Sequence, residues 1–288
     1  MLGLAFAGRG EHKPELPGPY TEREVPARPP GLVAAYLDAV QGDVAAWGNT
    51  LPPHFFSQWG FPMLAGAFAG LPYELKRAVN AGFSWESRAP LPANEPLRLR
   101  ARLKHIDDDG KRALLHSELI TGTESAPESL VSTLIAYVPL PRRGGAAEEG
   151  GAPDTAKKAK PTVPADAELL LERELSADLG GRFACATGDV NPIHWLGPYA
   201  RMAGFGGVIL HGYATAALGL ESYAASRLNG DRARLVGAEG RFTQPLRLPA
   251  KIGIFAGKPE AGRTPLFVGV APGEAAWFVG SVTAAADR

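Results

Sequence analysis

The sequence predicts an α+β protein built of two similar units, each a long helix followed by an antiparallel meander of strands. In both halves, apolar residues at helical spacing precede four segments of alternating or β-branched residues. Similar runs recur in a similar order, which indicates an internal repeat. Residues 142–161 separate the halves, contain no large apolar residue and are typical of a flexible linker. Because each long helix is apolar on most sides, we expect the strands of its unit to wrap around it.

The amino-acid composition argues against several functional classes. The 288 residues are 45% hydrophobic and 21% charged, and the 30 basic and 30 acidic residues give no net charge. This balance argues against a dedicated nucleic-acid or anionic-membrane surface. The single cysteine, Cys185, excludes an intramolecular disulfide and favours a reducing compartment. Its apolar neighbours predict a packed thiol rather than a nucleophile. With neither a signal segment nor a membrane-spanning run, we expect a cytoplasmic protein.

The first half, residues 1–141, opens with a proline-rich extended segment. We predict helices at residues 31–40 and 62–79 and strands at residues 82–88, 97–103, 113–120 and 130–138, with a hairpin turn at 107–110.

The second half, residues 162–288, repeats this order. We predict a strand at residues 168–174, helices at 176–185 and 208–227, and strands at 237–242, 251–256, 266–270 and 276–282.

Two stretches of the second half carry the chemistry. The first is Gly188-Asp189-Val190-Asn191-Pro192-Ile193-His194, and the second is Ile209-Leu210-His211-Gly212-Tyr213. The Asn-Pro step prevents a regular helix, so the loop curls and can point Asp189 and His194 into one space. Gly212 stands where the long helix begins, and the free N–H groups of a helix start carry partial positive charge. An acid–base pair beside an N–H donor suits chemistry next to a carbonyl.

The first half repeats the framework of this site without its chemistry. Gln41-Gly42-Asp43-Val44 parallels Thr187-Gly188-Asp189-Val190, but Gly48 stands where the histidine is expected. We also align Met63-Leu64-Ala65-Gly66 with Ile209-Leu210-His211-Gly212, and the strand from Phe83 with the strand from Ala238. The first copy is therefore predicted to be structural and chemically empty.

The motif from Gly188 to His194, with Tyr199-Ala200, Gly204-Phe205 and Leu210-His211-Gly212 after it, resembles the hydratase motif of the MaoC-like dehydratases, the (R)-specific enoyl-CoA hydratases. The resemblance implies a hot-dog fold, an antiparallel sheet around a central helix. Together with the repeat, it implies a tandem (double) hot-dog with a degenerate first unit at residues 1–141, the linker at 142–161 and the motif-bearing unit at 162–288.

The implied reaction is the reversible addition of water to a trans-2-enoyl thioester, the reverse of 3-hydroxyacyl-thioester dehydration. In this interpretation Asp189 is the natural base, and His194, whose protonated form that carboxylate favours, can deliver the proton to C2. The sequence leaves open which of the two holds which proton in the working complex. The Gly212 N–H would receive the thioester oxygen, Asn191 would hold the loop or the water, and His211 would support the site.

The reaction that the resemblance implies requires no metal or redox cofactor. Coenzyme A enters as part of an acyl-CoA substrate, and acyl carrier protein is an alternative carrier. Arg201, Arg247, Lys251 and Lys258 are candidates for binding the phosphates of coenzyme A. Tyr213 departs from the family pattern, where a smaller or flexible residue, often methionine, is expected, and this predicts an altered acyl pocket.

Several alternatives stay open. A hot-dog thioesterase would place a carboxylate on the central helix beside the thioester, but Glu221 lies far along that helix. A non-catalytic acyl-CoA-binding protein would keep the motif only as a turn. A metal site of Asp189, His194 and His211 is disfavoured by the spacing of the histidines. We assign no role to the remaining histidines, His54, His105 and His116. Two fused units make a monomer feasible, and a homodimer is slightly favoured.

Overall fold

The computed structural model describes residues 14–68, 70–140 and 160–286. Its strands are β1 (Thr21–Val25), β2 (Val79–Ser87), β3 (Leu97–Asp108), β4 (Arg112–Gly122), β5 (Leu130–Pro139), β6 (Glu168–Leu175), β7 (Ile209–Leu210), β8 (Leu235–Phe242), β9 (Leu246–Arg247), β10 (Ala250–Ala256), β11 (Arg263–Gly269) and β12 (Ala276–Ala284). Its helices are α1 (Pro30–Ala39), α2 (Val44–Trp47), α3 (Ser57–Ala67), α4 (Leu179–Thr187), α5 (Gly197–Met202) and α6 (Gly212–Arg227).

Ten of these strands form one antiparallel sheet that is symmetric about its middle. The strand order is β1-β3-β4-β5-β2-β8-β12-β11-β10-β6, and β7 pairs separately with β9. Strands of the first half occupy one side and strands of the second half the other. At the centre, Ser84 of β2 pairs with Glu239 of β8. The alignment of the two repeats makes these residues equivalent, so the repeat is related by an approximate two-fold axis through this pair.

Helix α6 is enclosed by the sheet of its own half. It contacts β6, β8, β10, β11 and β12, and every residue from Tyr213 to Ala224 is buried. Helix α3 contacts β3 and β4 of the first half in the same manner. The side chains around both helices join in a single hydrophobic core that crosses the two halves. Burial of each large apolar side chain contributes about 1.5–3 kcal/mol, so this core holds the halves together.

The predicted α+β class is confirmed, and so are all nine predicted strands, the eight of the two meanders and the one at residues 168–174, apart from shifts at their ends. Two helix starts were wrong. Helix α6 begins at Gly212 rather than at residue 208, because Ile209 and Leu210 are extended and pair with β9. Helix α3 begins at Ser57 and ends at Ala67, before Gly70, which has a positive φ of 80°. The alignment of Met63–Gly66 with Ile209–Gly212 is therefore wrong, since those residues lie near the end of α3.

The predicted linker falls mostly on residues 141–159, outside the described part of the chain, and the predicted unit boundaries stay predictions. None of the helices in the described segments is long and apolar enough to span a membrane.

Candidate active site

Asp189 is positioned by the end of α4. The helix stops at Gly188, whose positive φ of 78° reverses the chain while its N–H donates to the Ala184 carbonyl at 2.8 Å. The next residue, Asp189, is consequently turned inward and is only 6% exposed. Its backbone N–H is 3.4 Å from the hydroxyl of Thr187.

His194 is positioned by the turn that follows. Asn191 accepts a hydrogen bond from the Ile193 N–H at 3.3 Å and caps a single 3₁₀ turn, Pro192–His194. The buried imidazole then places Nδ1 2.8 Å from the Ile209 carbonyl oxygen. A carbonyl only accepts, so Nδ1 carries the proton and Nε2 of the neutral ring presents a lone pair. Asn191 thus holds the loop, one of its two predicted roles.

Burial lowers the pKa of His194, and this outweighs the hydrogen bond to Ile209 and the negative charge of Asp189. At neutral pH the ring is therefore uncharged. The expectation of a protonated His194 was wrong, because the carboxylate does not compensate for the loss of solvent around the ring.

His211 lies directly behind His194. The ring centroids are 3.5 Å apart and the planes differ by 22°. Nε2 of His211 donates to the backbone carbonyl of Asp189 at 2.9 Å and lies 4.0 Å from its Oδ2. Burial, and next the proximity of His194, lower the pKa of His211, so it is neutral as well. His211 thereby links the two segments that hold Asp189 and His194.

Gly212 is the first residue of α6, with His211 in extended conformation before it. A Cβ on Gly212 would lie 2.7 Å from the ring of Phe242, so only glycine fits. The first N–H groups of a helix have no acceptor within that helix. The start of α6 therefore offers a backbone donor next to the ring of Phe242.

Ligand atoms of Asp189, His194 and His211 lie within 4.8 Å of one another, and all three residues are buried. This spacing would suit a metal, but the histidine rings are stacked nearly parallel. Lone pairs that lie side by side do not converge on one tetrahedral ion. The geometry instead suits an acid–base cluster, and the absence of a metal requirement stays a prediction.

The other residues singled out in the sequence lie in different environments. Cys185 is exposed, so the prediction of a packed thiol was wrong: its side chain lies on the outer face of α4. Asp43 is exposed and caps α2 by accepting from Ala45 and Ala46. Lys251 forms an ion pair at 2.9 Å with Glu172 of β6, and Lys258 forms one at 3.7 Å with Asp166 in the turn before β6. Arg247 is exposed on β9, opposite Ile209, whose carbonyl orients His194.

Sequence reasoning missed a buried polar network between the halves. Glu221 of α6 accepts hydrogen bonds from Trp47 at 2.7 Å and from Arg232 at 2.8 Å, and its Oε1 lies 3.1 Å from His54 Nε2. Tyr36 in turn contacts His54 Nδ1 at 2.7 Å. Trp47 is close to His54 in sequence, but Glu221 and Arg232 are distant from it, so no local pattern predicts the network. The local feature that points to a buried His54 is the pair of aromatic residues that follows it, Phe55-Phe56.

Residues 152–260 match the family model described as the MaoC like domain. The chain carries a MaoC-like domain. The matched segment includes all the site residues predicted from the sequence.

Curated relatives of this chain include 3-hydroxyacyl-thioester dehydratase X of Mycobacterium tuberculosis, which is 26% identical over 84% of this chain and 81% of the relative. Enoyl-CoA hydratase ChsH3 of the same organism is 29% identical over 61% of this chain and 59% of the relative.

Solved structures agree on the fold. A MaoC-like dehydratase from Phytophthora capsici superposes with a TM-score of 0.75 at 17% identity, over 93% of this chain and 96% of that one. A Mycobacterium tuberculosis protein described as a double hotdog fold gives 0.57 at 13% identity, over 99% and 100% of the two chains. The chain thus has a double hot-dog fold, as predicted.

Proposed function

We propose that this protein is an (R)-specific enoyl-CoA hydratase that also catalyses the reverse reaction, 3-hydroxyacyl-thioester dehydration. The observation that carries the proposal is the buried cluster in which a carboxylate oxygen of Asp189 and a ring nitrogen of His194 lie within 4.8 Å of each other. Relatives named as a thioester dehydratase and an enoyl-CoA hydratase support the reaction class. The (R) configuration rests on the resemblance of the motif.

One water molecule supplies both groups that are added. The Asp189 carboxylate and the neutral Nε2 of His194 accept hydrogen bonds from it, its oxygen bonds to C3 of the enoyl group, and its proton passes to the dyad. The same proton is then delivered to C2, so the C2–C3 double bond becomes a single bond and the dyad returns to its starting state. General acid–base groups typically contribute about 10² to 10⁴ in rate.

Attack at C3 moves negative charge onto the thioester oxygen. In this proposal the Gly212 N–H, at the positive end of the 16-residue helix α6, donates to that oxygen. Loss of one such donor typically costs about 2.7–4 kcal/mol of transition-state stabilisation. Because the ring of Phe242 packs against the Gly212 Cα, a side chain at this position would displace the start of α6 and with it the proposed donor.

A thioesterase is the weaker candidate. Glu221, the carboxylate on α6, is nine residues beyond Gly212, or about 13 Å along a helix. It is 1% exposed and bonded to Trp47 and Arg232, with His54 at 3.1 Å. A carboxylate held in this way is poorly placed to activate water beside the thioester.

The test is the loss of enoyl-thioester absorbance when pure protein meets crotonyl-CoA, followed by chiral analysis of the 3-hydroxybutyryl product. Asp189→Asn and His194→Ala should each lower kcat/KM by about 10² to 10⁴. Asp43→Asn and His105→Ala are the matched controls, since both positions are exposed in the first half and should stay active.

Four results would count against the proposal. Turnover retained by both dyad variants would refute the catalytic roles of Asp189 and His194. An (S) product would refute the proposed (R) configuration. Release of free thiol without loss of the double bond would favour the thioesterase, and binding of crotonyl-CoA without turnover would favour a non-catalytic binding protein.

A further inference from the structure

Tyr213, the second residue of α6, lies in a cage of four phenylalanine rings. Its ring centroid is 5.2 Å from that of Phe242, 5.4 Å from Phe61, and 5.6 Å from both Phe56 and Phe83. Phe56 and Phe61 belong to the α3 region of the first half, and Phe242 belongs to β8 of the second. The cage is therefore built by both halves and closes the space next to the start of α6.

The hydroxyl of Tyr213 is buried and has no hydrogen-bond partner among the described residues. Burial raises the pKa of Tyr213, and the nearby charge of Asp189 raises it further, so the phenol stays neutral and keeps its proton to donate. Buried hydroxyl groups in proteins almost always have a partner. A lone buried hydroxyl close to a reactive carboxylate is thus suited to a hydrogen bond with a bound ligand.

The direction of substrate entry brings the acyl group to this hydroxyl. Coenzyme A is large and highly charged, so it stays at the surface while C2 and C3 reach Asp189 and His194, which are 6% and 8% exposed. Atoms beyond C3 must then extend further into the protein. Tyr213 is adjacent to the proposed thioester donor, Gly212, and the charge of Asp189 acts on its phenol, which places its side chain on the proposed path of those atoms.

The geometry points to Tyr213 as the specificity-determining residue: its caged ring limits the acyl group to a short chain, and its hydroxyl hydrogen-bonds an oxygen carried next to C3. The substrate class is then a short enoyl thioester with a polar substituent at C4. This inference rests on the proposed function and adds the substrate class to it.

The polar part is tested with two acyl groups of equal size. Trans-4-hydroxy-2-butenoyl-CoA and trans-2-pentenoyl-CoA differ only in a hydroxyl against a methyl group at C4. We expect the protein to prefer the hydroxylated substrate by at least about tenfold in kcat/KM, because a site built to hydrogen-bond a group rejects the analogue that lacks it. Tyr213→Phe should reduce this ratio to about one. An equal ratio in both proteins would overturn the role of the hydroxyl.

The size part is tested with trans-2-decenoyl-CoA against crotonyl-CoA. Tyr213→Leu should raise the decenoyl-to-crotonyl ratio of kcat/KM by at least about tenfold, because the smaller side chain opens the cage. An unchanged ratio would overturn the size limit. Tyr223→Phe is the matched control: Tyr223 lies on the same helix but its hydroxyl is 3.0 Å from that of Thr264, and both ratios should stay at their original values.

Binding separates this inference from the proposed function. Titration calorimetry with the saturated analogues 4-hydroxybutanoyl-CoA and pentanoyl-CoA needs no turnover. We expect a Kd ratio of about ten that falls to about one in Tyr213→Phe. If no enoyl thioester is hydrated but this ratio is found, the proposed function fails and the role of Tyr213 stands. If the variant does not change the ratio, the role of Tyr213 is refuted whether or not the protein is a hydratase.

Discussion

Gly180 of α4 lies directly against the backbone of His194: a Cβ at Gly180 would stand 1.9 Å from the His194 carbonyl oxygen. Real Cβ atoms do not approach oxygen this closely, so the packing of α4 against the motif loop requires glycine. Gly180 thus sets the distance between the helix that precedes Asp189 and the turn that presents His194.

Gly180→Ala should therefore displace His194 and lower kcat/KM for crotonyl-CoA by about 10²-fold, since misplacement by about 1 Å is enough for such a loss. Gly181→Ala is the matched control, because its Cβ would meet Trp195 at an ordinary 3.6 Å. Steady-state kinetics with circular dichroism as a folding check makes the comparison. Equal activity of the two variants would show that the loop adapts without loss.

The lowered pKa of His194 predicts the acid side of the pH profile. The neutral ring is the working form in our proposal, so the midpoint of the acid-side fall in activity should lie below the ordinary histidine value of 6.5. At pH 6.5 kcat/KM should exceed half of its plateau. A crotonyl-pantetheine substrate keeps phosphate ionisation out of the profile. Activity that instead falls as the pH rises through 6.5 would mean that the imidazolium is the working form.

Arg247 is the exposed cation whose strand pairs with Ile209, and we expect it to bind a phosphate of coenzyme A. Arg247→Ala should raise KM for crotonyl-CoA about fivefold at low salt and leave KM for crotonyl-pantetheine unchanged, because an exposed ion contact is worth about 1 kcal/mol. Lys258→Ala is the control, since Lys258 lies 3.7 Å from Asp166. An equal effect on both substrates would mean that Arg247 supports the fold and does not bind phosphate.

Glu221 should be a stability residue. Burial alone would raise its pKa, but the hydrogen bond from His54 and the charge of Arg232 outweigh this and lower the pKa from 4.5 to about 2. The stabilising contribution is therefore complete above pH 4.5 and is lost as the pH falls through about 2.

Glu221→Gln leaves Arg232 buried without a charge partner and should reduce the free energy of unfolding by about 3 kcal/mol, measured by urea denaturation at pH 7. Glu172→Gln, which removes an exposed partner of Lys251, should cost less than about 1 kcal/mol. A loss as small as that of the control would show that the network is not a significant link between the halves.

Local sequence was sufficient for the strands, the repeat and the motif. Alternation over the meanders fixes which face of each strand is buried, and the Asn191-Pro192 step with Gly188 fixes a loop that turns Asp189 inward. These features depend on residues within a few positions of each other, so the local sequence determines the backbone conformation that they require.

Only tertiary structure decided the rest. Helix α6 starts at Gly212 because Ile209 and Leu210 pair with β9, which lies about 37 residues downstream. His194 is neutral because the folded protein removes water from it, and Glu221 is ionised because Trp47, His54 and Arg232 surround it. Desolvation and long-range hydrogen bonds depend on which segments of the chain lie together in the folded protein. A local sequence pattern therefore predicts neither the charge of His194 nor the partners of Glu221.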